Sequence, residues 1–204
     1  MVAFDIVDNL FSDLELSEIK NAICSVDIPD VPHNHKGGVG HDKVLAREQV
    51  GDIPIGKEIK DKLTQFVNDR YGPGLVLHHA MYANYSNKHG NPNLPPHFDR
   101  DQCSVVIDYQ LESNTYWDLG VGLNTYSIKD NSALIFNANT NIHWRPHKDF
   151  EDGEYVKMIL FRFFNPIDRV DYSHLPQFDN DSVFKEVNSY RDSLYSNRKS
   201  EAEK

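Results

Sequence analysis

With 204 residues and a net charge of −10, the chain is long enough for one domain with a sizeable core, and its charge argues against holding nucleic acid through the phosphate backbone. Two cysteines, Cys24 and Cys103, are too few for a disulfide framework and fit a reducing compartment. No stretch approaches the roughly 18 apolar residues of a membrane span, and the acidic start M-V-A-F-D-I-V-D is not a signal peptide, so the expectation is a soluble cytoplasmic protein with one domain over 1–204.

In chain order, Ser17 is placed to cap a helix whose apolar positions Ile19, Ala22, Ile23 and Val26 follow helical spacing. Asp27 to Gly56 is rich in breakers and reads as a surface loop, a candidate lid. Its histidines His33, His35 and His41 could form a metal cluster, although a plain loop is the simpler reading. Ile55, Ile59, Leu63, Phe66 and Val67 form the stripe of a second helix, ended by Gly72-Pro73. The first part, about 1–74, is therefore expected to be helical.

From Leu75 the pattern turns to strands. L-V-L-H-H-A-M-Y-A-N-Y, S-V-V-I-D-Y-Q-L, Y-W-D-L-G-V, T-Y-S-I, A-L-I-F and Y-V-K-M-I-L-F-R-F-F follow one another with turns and no intervening helix. That order predicts a mainly β core over about 75–165, a sandwich or barrel with helices packed outside. In the tail, about 166–204, Asp181 is placed to cap a helix with Val183, Val187, Tyr190 and Leu194 on one side. This helix either packs on the sheet, the blander reading, or offers a homodimer surface.

His97 and Asp99 sit at i and i+2, so on a strand both side chains leave one face and can grip one ion. By itself the tripeptide carries little weight. With 10 histidines chance supplies about one His-x-Asp in such a composition, and His147-Lys148-Asp149 is a second. His97 precedes a strand-rich run able to return a third ligand, whereas His147 has only His174 after it. His143, 44 residues after Asp99, follows an apolar strand and a short turn, and His147 is the alternative. Two histidines and a carboxylate suit iron, zinc or copper, and non-heme Fe(II) oxygenases use this set with open positions beside it.

Taken together, Y-A-N-Y, P-P-H-F-D-R-D, S-V-V-I-D-Y-Q-L, S-I-K-D-N-S-A-L-I-F, I-H-W-R-P and Y-V-K-M-I-L-F-R-F-F resemble the Fe(II)- and 2-oxoglutarate-dependent dioxygenases, in particular their prolyl-4-hydroxylase-like branch. The resemblance covers roughly Val76 to Phe164. It implies a double-stranded β-helix (jelly-roll) core with flanking helices, and Fe(II) held by His97, Asp99 and His143. It also implies a basic residue on the last core strand for the distal carboxylate of 2-oxoglutarate. Lys157 fits that role, with Arg162 as an alternative on the opposite strand face. Tyr85 stands where family members place a tyrosine on the cosubstrate, Tyr82 is the alternative, and Arg145 is a candidate substrate contact. The implied activity is hydroxylation of a peptidyl or small-molecule substrate with O2, releasing succinate and CO2. The competing expectations are a cupin-like metalloenzyme that does not use 2-oxoglutarate and a non-catalytic jelly-roll binding module.

Overall fold

The structure, a computed structural model, describes residues 4–32, 38–42, 44–99, 103–167 and 182–202. Alternating apolar residues build two antiparallel sheets. The larger is formed by β1 (Phe4–Val7), β2 (Gly40–Asp42), β3 (Arg47–Val50), β4 (Val76–Ser86), β5 (Val105–Ser113), β8 (Ser132–Asn137) and β10 (Tyr155–Phe164), in the order β1-β8-β5-β10-β4-β3-β2. The smaller is formed by β6 (Leu119–Val121), β7 (Asn124–Tyr126) and β9 (His143–Trp144), in the order β7-β6-β9. Val106, Leu134 and Phe136 of the large sheet pack on Leu119 and Val121 of the small one. The site lies between the two layers.

The outer face of the large sheet is covered by α1 (Asp13–Cys24) and α2 (Lys57–Tyr71). Ile19 and Ile23 of α1, with Ile59, Leu63 and Val67 of α2, pack on Ala80, Tyr82, Ile107, Ile159 and Phe161. α1 begins earlier than the apolar spacing suggests. Its N-cap is Ser12, not Ser17, and Ser12 and Glu15 satisfy each other's backbone donors in a capping box. Glu18 then reaches across to accept from the backbone N–H of Gly56, the N-cap of α2, at 3.1 Å. α2 ends at Gly72, whose φ of 103° only glycine adopts readily.

Two expectations about the first third are corrected. The part before residue 75 is not wholly helical, since β1, β2 and β3 all lie there. The breaker-rich stretch is likewise not simply a loop, because β3 pairs with β4 from Arg47↔Tyr85 to Val50↔Tyr82. A four-residue strand is too short to show a period against its turn-rich surroundings.

The C-terminal helix is α3 (Ser182–Ala202). Phe184 and Val187 are buried against Ile142 and Trp144, so this helix packs on the β9 segment, while Val183 is exposed. The expected cap, Asp181, lies outside the described residues.

Candidate metal centre

The first two candidate ligands, expected on a strand, lie instead in the irregular segment between β4 and β5, where His97 makes an isolated antiparallel bridge to His143 of β9. The backbone of His97 donates to His143 O at 3.0 Å and that of His143 to His97 O at 2.9 Å, so the two residues form a single antiparallel bridge. Asp99 is fixed two residues on by its N–H to Ala138 O at 2.9 Å. The ligand atoms of His97, Asp99 and His143 all lie within 4.8 Å of one another.

Hydrogen bonds orient each side chain. His97 Nδ1 lies 2.8 Å from Pro95 O and His143 Nδ1 lies 3.1 Å from Asn141 O. A carbonyl oxygen only accepts, so both Nδ1 atoms carry the proton and both Nε2 lone pairs are free. Each Nε2 sits 3.7 Å from Asp99 Oδ1. Two donors about 2.1 Å from an ion at tetrahedral angles stand about 3.4 Å apart, so the spacing fits a small ion held among the three atoms. Asp99 Oδ2 is occupied separately: it accepts from the Cys103 thiol at 3.2 Å and faces Arg162 Nε at 3.8 Å.

The protonation states suit ligation. Burial pushes both imidazoles down, His143 to about 3, with the neighbouring ring of His97 adding to its shift. Burial alone would raise Asp99, but Arg162 and the two histidines hold its carboxyl well below the usual range. Burial, reinforced by Asp99, pushes the Cys103 thiol up, so it remains a donor.

The three residues line a cavity of about 170 Å³ together with Arg47, Tyr85, Asp108, Arg145, Met158, Leu160 and Arg162. Its arginines differ in their partners. Arg145 is buried and committed: it pairs with Asp108 at 3.2 Å, donates to Trp117 O and contacts Met158 Sδ. Burial raises Asp108 to about 6 in spite of that pair. Arg162 faces Asp99. Arg47, also buried, meets only neutral groups among the described residues: Nη1 donates to Tyr85 Oη at 2.6 Å, Nε to Gln49 Oε1 at 3.0 Å, and Nη2 reaches Met81 Sδ at 4.0 Å.

The structure brings His97, Asp99, His143, Tyr85, Arg145 and Arg162 to one cavity and leaves three sequence candidates outside it. Lys157 projects from the other face of β10 and pairs with Glu112 at 2.7 Å, so the expectation that it lines the site is corrected. Tyr82 points into the helix-covered core. His147 lies near Asp192 at 3.4 Å, in a surface depression beside α3 and away from the triad. Arg47 was the residue missed, because nothing in V-L-A-R-E-Q-V marks its strand.

No family model matches the chain, and no curated protein is detectably similar in sequence. Solved structures do share its architecture. SnoN, described as a non-heme alpha ketoglutarate dependent epimerase from nogalamycin biosynthesis, superposes with a TM-score of 0.56 at 12% identity, over 88% of this chain and 87% of SnoN. An oxidoreductase of the 2OG-Fe(II) oxygenase family from Burkholderia pseudomallei gives 0.53 at 10% identity, over 80% and 86%. EvdMO1 gives 0.55 at 12% identity over 80% of this chain but 47% of its own length, so the chain spans about half of that protein. At such identities the likeness is one of fold. The chain has a mainly β, double-stranded β-helix (jelly-roll) core, flanked by three helices among the described residues.

Proposed function

We propose that the protein is an Fe(II)- and 2-oxoglutarate-dependent dioxygenase that hydroxylates a peptidyl or small-molecule substrate, using O2 and releasing succinate and CO2. The observation that carries this reading is the convergence of two oriented Nε2 lone pairs and one carboxylate oxygen on a point inside an arginine-lined cavity. Two imidazoles and a carboxylate on one face are the donor set of non-heme Fe(II) oxygenases, which keep the remaining positions open. Sequence order supports the finer assignment to the prolyl-4-hydroxylase-like branch.

In this reading His97, Asp99 and His143 would hold Fe(II), and the bound iron with 2-oxoglutarate would supply the activation of O2. The chain's own residues do the rest. Arg47 is a buried cation with no carboxylate partner among the described residues. Burying such a charge is costly unless an anion joins it. Nη2 of Arg47, whose contact is only the weakly accepting Met81 sulfur at 4.0 Å, and the hydroxyl proton of Tyr85 would clamp the distal carboxylate of 2-oxoglutarate. Arg162 and Cys103 keep Asp99 ionised and turned so that Oδ1 faces the ion. Arg145, locked to Asp108, holds β9 in place behind His143, while Met158 and Leu160 exclude water.

The test is anaerobic mixing of the purified protein with Fe(II) and 2-oxoglutarate. The expected result is the visible charge-transfer band of the chelate, followed by succinate when air is admitted. A protein that binds Fe(II) but shows neither band nor succinate would overturn the 2-oxoglutarate part of the reading and favour a cupin-like metalloenzyme.

A further inference from the structure

A second cluster of metal-ligating side chains lies on the edge strand of the large sheet. His41 on β2, His89 in the loop after β4, and Asp30 before β2 bring their ligand atoms within 4.8 Å of one another. Asp30 Oδ1 is 3.4 Å from His41 Nδ1 and 3.9 Å from His89 Nε2. These separations match the roughly 3.4 Å expected between donors on one tetrahedral ion. The two rings stack at 4.3 Å with planes 9° apart, so both present an edge to the same point.

Neither nitrogen is otherwise used. His41 Nδ1 and His89 Nε2 are buried, and neither has a hydrogen-bond partner among the described residues. The His41 side chain is 9% exposed and that of His89 11%. Buried polar atoms are nearly always satisfied, so two such orphans aimed at one carboxylate need an explanation. Asp30, 67% exposed, could have turned to water but faces the pair. Glu48 stands behind, with Oε1 3.7 Å from His89 Nε2, held by Lys88 at 2.7 Å and by Asn84 at 2.9 Å.

We propose that Asp30, His41 and His89 form a second divalent-metal site of the zinc class, separate from the triad between the sheets. Imidazole and carboxylate donors suit zinc, cobalt or nickel more than calcium or magnesium, which require oxygen cages. The fourth position falls to water or to Glu48. The position gives the ion a mechanical role. It ties Asp30 and the loop after β4 to the β2–β3 hairpin, whose second strand carries Arg47. The sequence pointed to His41 in a cluster with His33 and His35. Among the described residues the structure brings Asp30 and His89 to it, and His33 and His35 lie outside the described residues.

Zinc stoichiometry in the full chain tests this, by equilibrium dialysis at micromolar free zinc with elemental analysis. Wild-type protein should hold about two equivalents and His143→Ala about one. Asp30→Asn in the His143→Ala background should release that one. Because Asp30 is exposed, this variant leaves the packing intact, and circular dichroism checks the fold. Zinc should also slow proteolysis within residues 27–42 in His143→Ala but not in the double variant. Retention of no zinc by His143→Ala, or of zinc that Asp30→Asn leaves bound, overturns the proposal. If wild type binds one equivalent and loses it with Asp30→Asn but not with His143→Ala, the second site stands and the triad reading fails.

Discussion

Asp99 shows how much one side chain here depends on its neighbours. Each oxygen has a separate task, Oδ1 toward the ion position and Oδ2 toward Cys103 and Arg162. His143→Ala should remove the Fe(II) equivalent held by the triad while His147→Ala retains it, read by dialysis with elemental analysis. The carboxylate clamp gives a second expectation. Arg47→Ala should weaken 2-oxoglutarate by about tenfold to a hundredfold, the value of one charge-assisted hydrogen bond, with Fe(II) affinity little changed. Lys157→Ala should leave 2-oxoglutarate binding near wild type, and equal losses in the two variants, measured by calorimetry, would contradict the Arg47 assignment. A third concerns acid. Burial and Arg162 push His79 from 6.5 down to about 4. Between those values the unfolded chain binds a proton that the folded one refuses, so stability falls as pH drops through that window and levels off below it. His143, pushed to about 3, adds to the same slope. His79→Gln should flatten the decline in the urea midpoint of the metal-free protein between pH 7 and about pH 5; an unchanged slope would show that the folded chain binds the His79 proton as readily as the unfolded one.

At the scale of elements, the strand order of the core was legible because each apolar run after Leu75 is bounded by turn residues. The His97-Asp99 pair could be placed by counting from those strands. What could not be read was which face of β10 turns inward. The period-two rule separates Lys157 from Arg162, but β10 is buried on both faces, by helices on one and by the small sheet on the other. Hydrophobicity therefore does not distinguish the sides. Arg47 was hidden for a different reason, its strand being short and stabilised by pairing with β4 rather than by its own pattern. α3 makes an element-level prediction. Phe184 packs edge-on against Phe98, beside His97, at a centroid distance of 5.6 Å, and Arg191 Nε donates to Arg145 O at 2.7 Å. Phe184→Ala should cost about 3–5 kcal/mol in denaturant unfolding and weaken Fe(II) binding as well. A full loss of stability with unaltered iron affinity would show that α3 supports the fold but not the ligands.

For the whole molecule, the layers divide the labour. Helices α1 and α2 seal the outer face of the large sheet, the inner face builds the cavity, and the small sheet closes it. Ligands of the triad come from both sides of a long excursion through β5, β6, β7 and β8, so an ion there joins segments distant in sequence. Metal should accordingly stabilise the molecule by mass action, about 2.7 kcal/mol when free ion is a hundredfold above Kd. Thermal unfolding with and without Zn(II) or anaerobic Fe(II) reads this directly, and the shift contributed by the triad should vanish in His143→Ala. Among the described residues no helix is long and apolar enough to cross a membrane.

The bridge between His97 and His143 has a kinetic corollary. Because the backbones of these two ligands are already bonded to each other, their spacing is fixed by that backbone pair and not by the ion. Metal entry then requires no folding of a loop around it, unlike sites that assemble only when loaded. Association should be limited by ion dehydration and passage into the cavity, with a rate that is first order in metal and insensitive to viscosity-dependent chain motion. Variants that disturb the bridge should show themselves as faster escape of the ion.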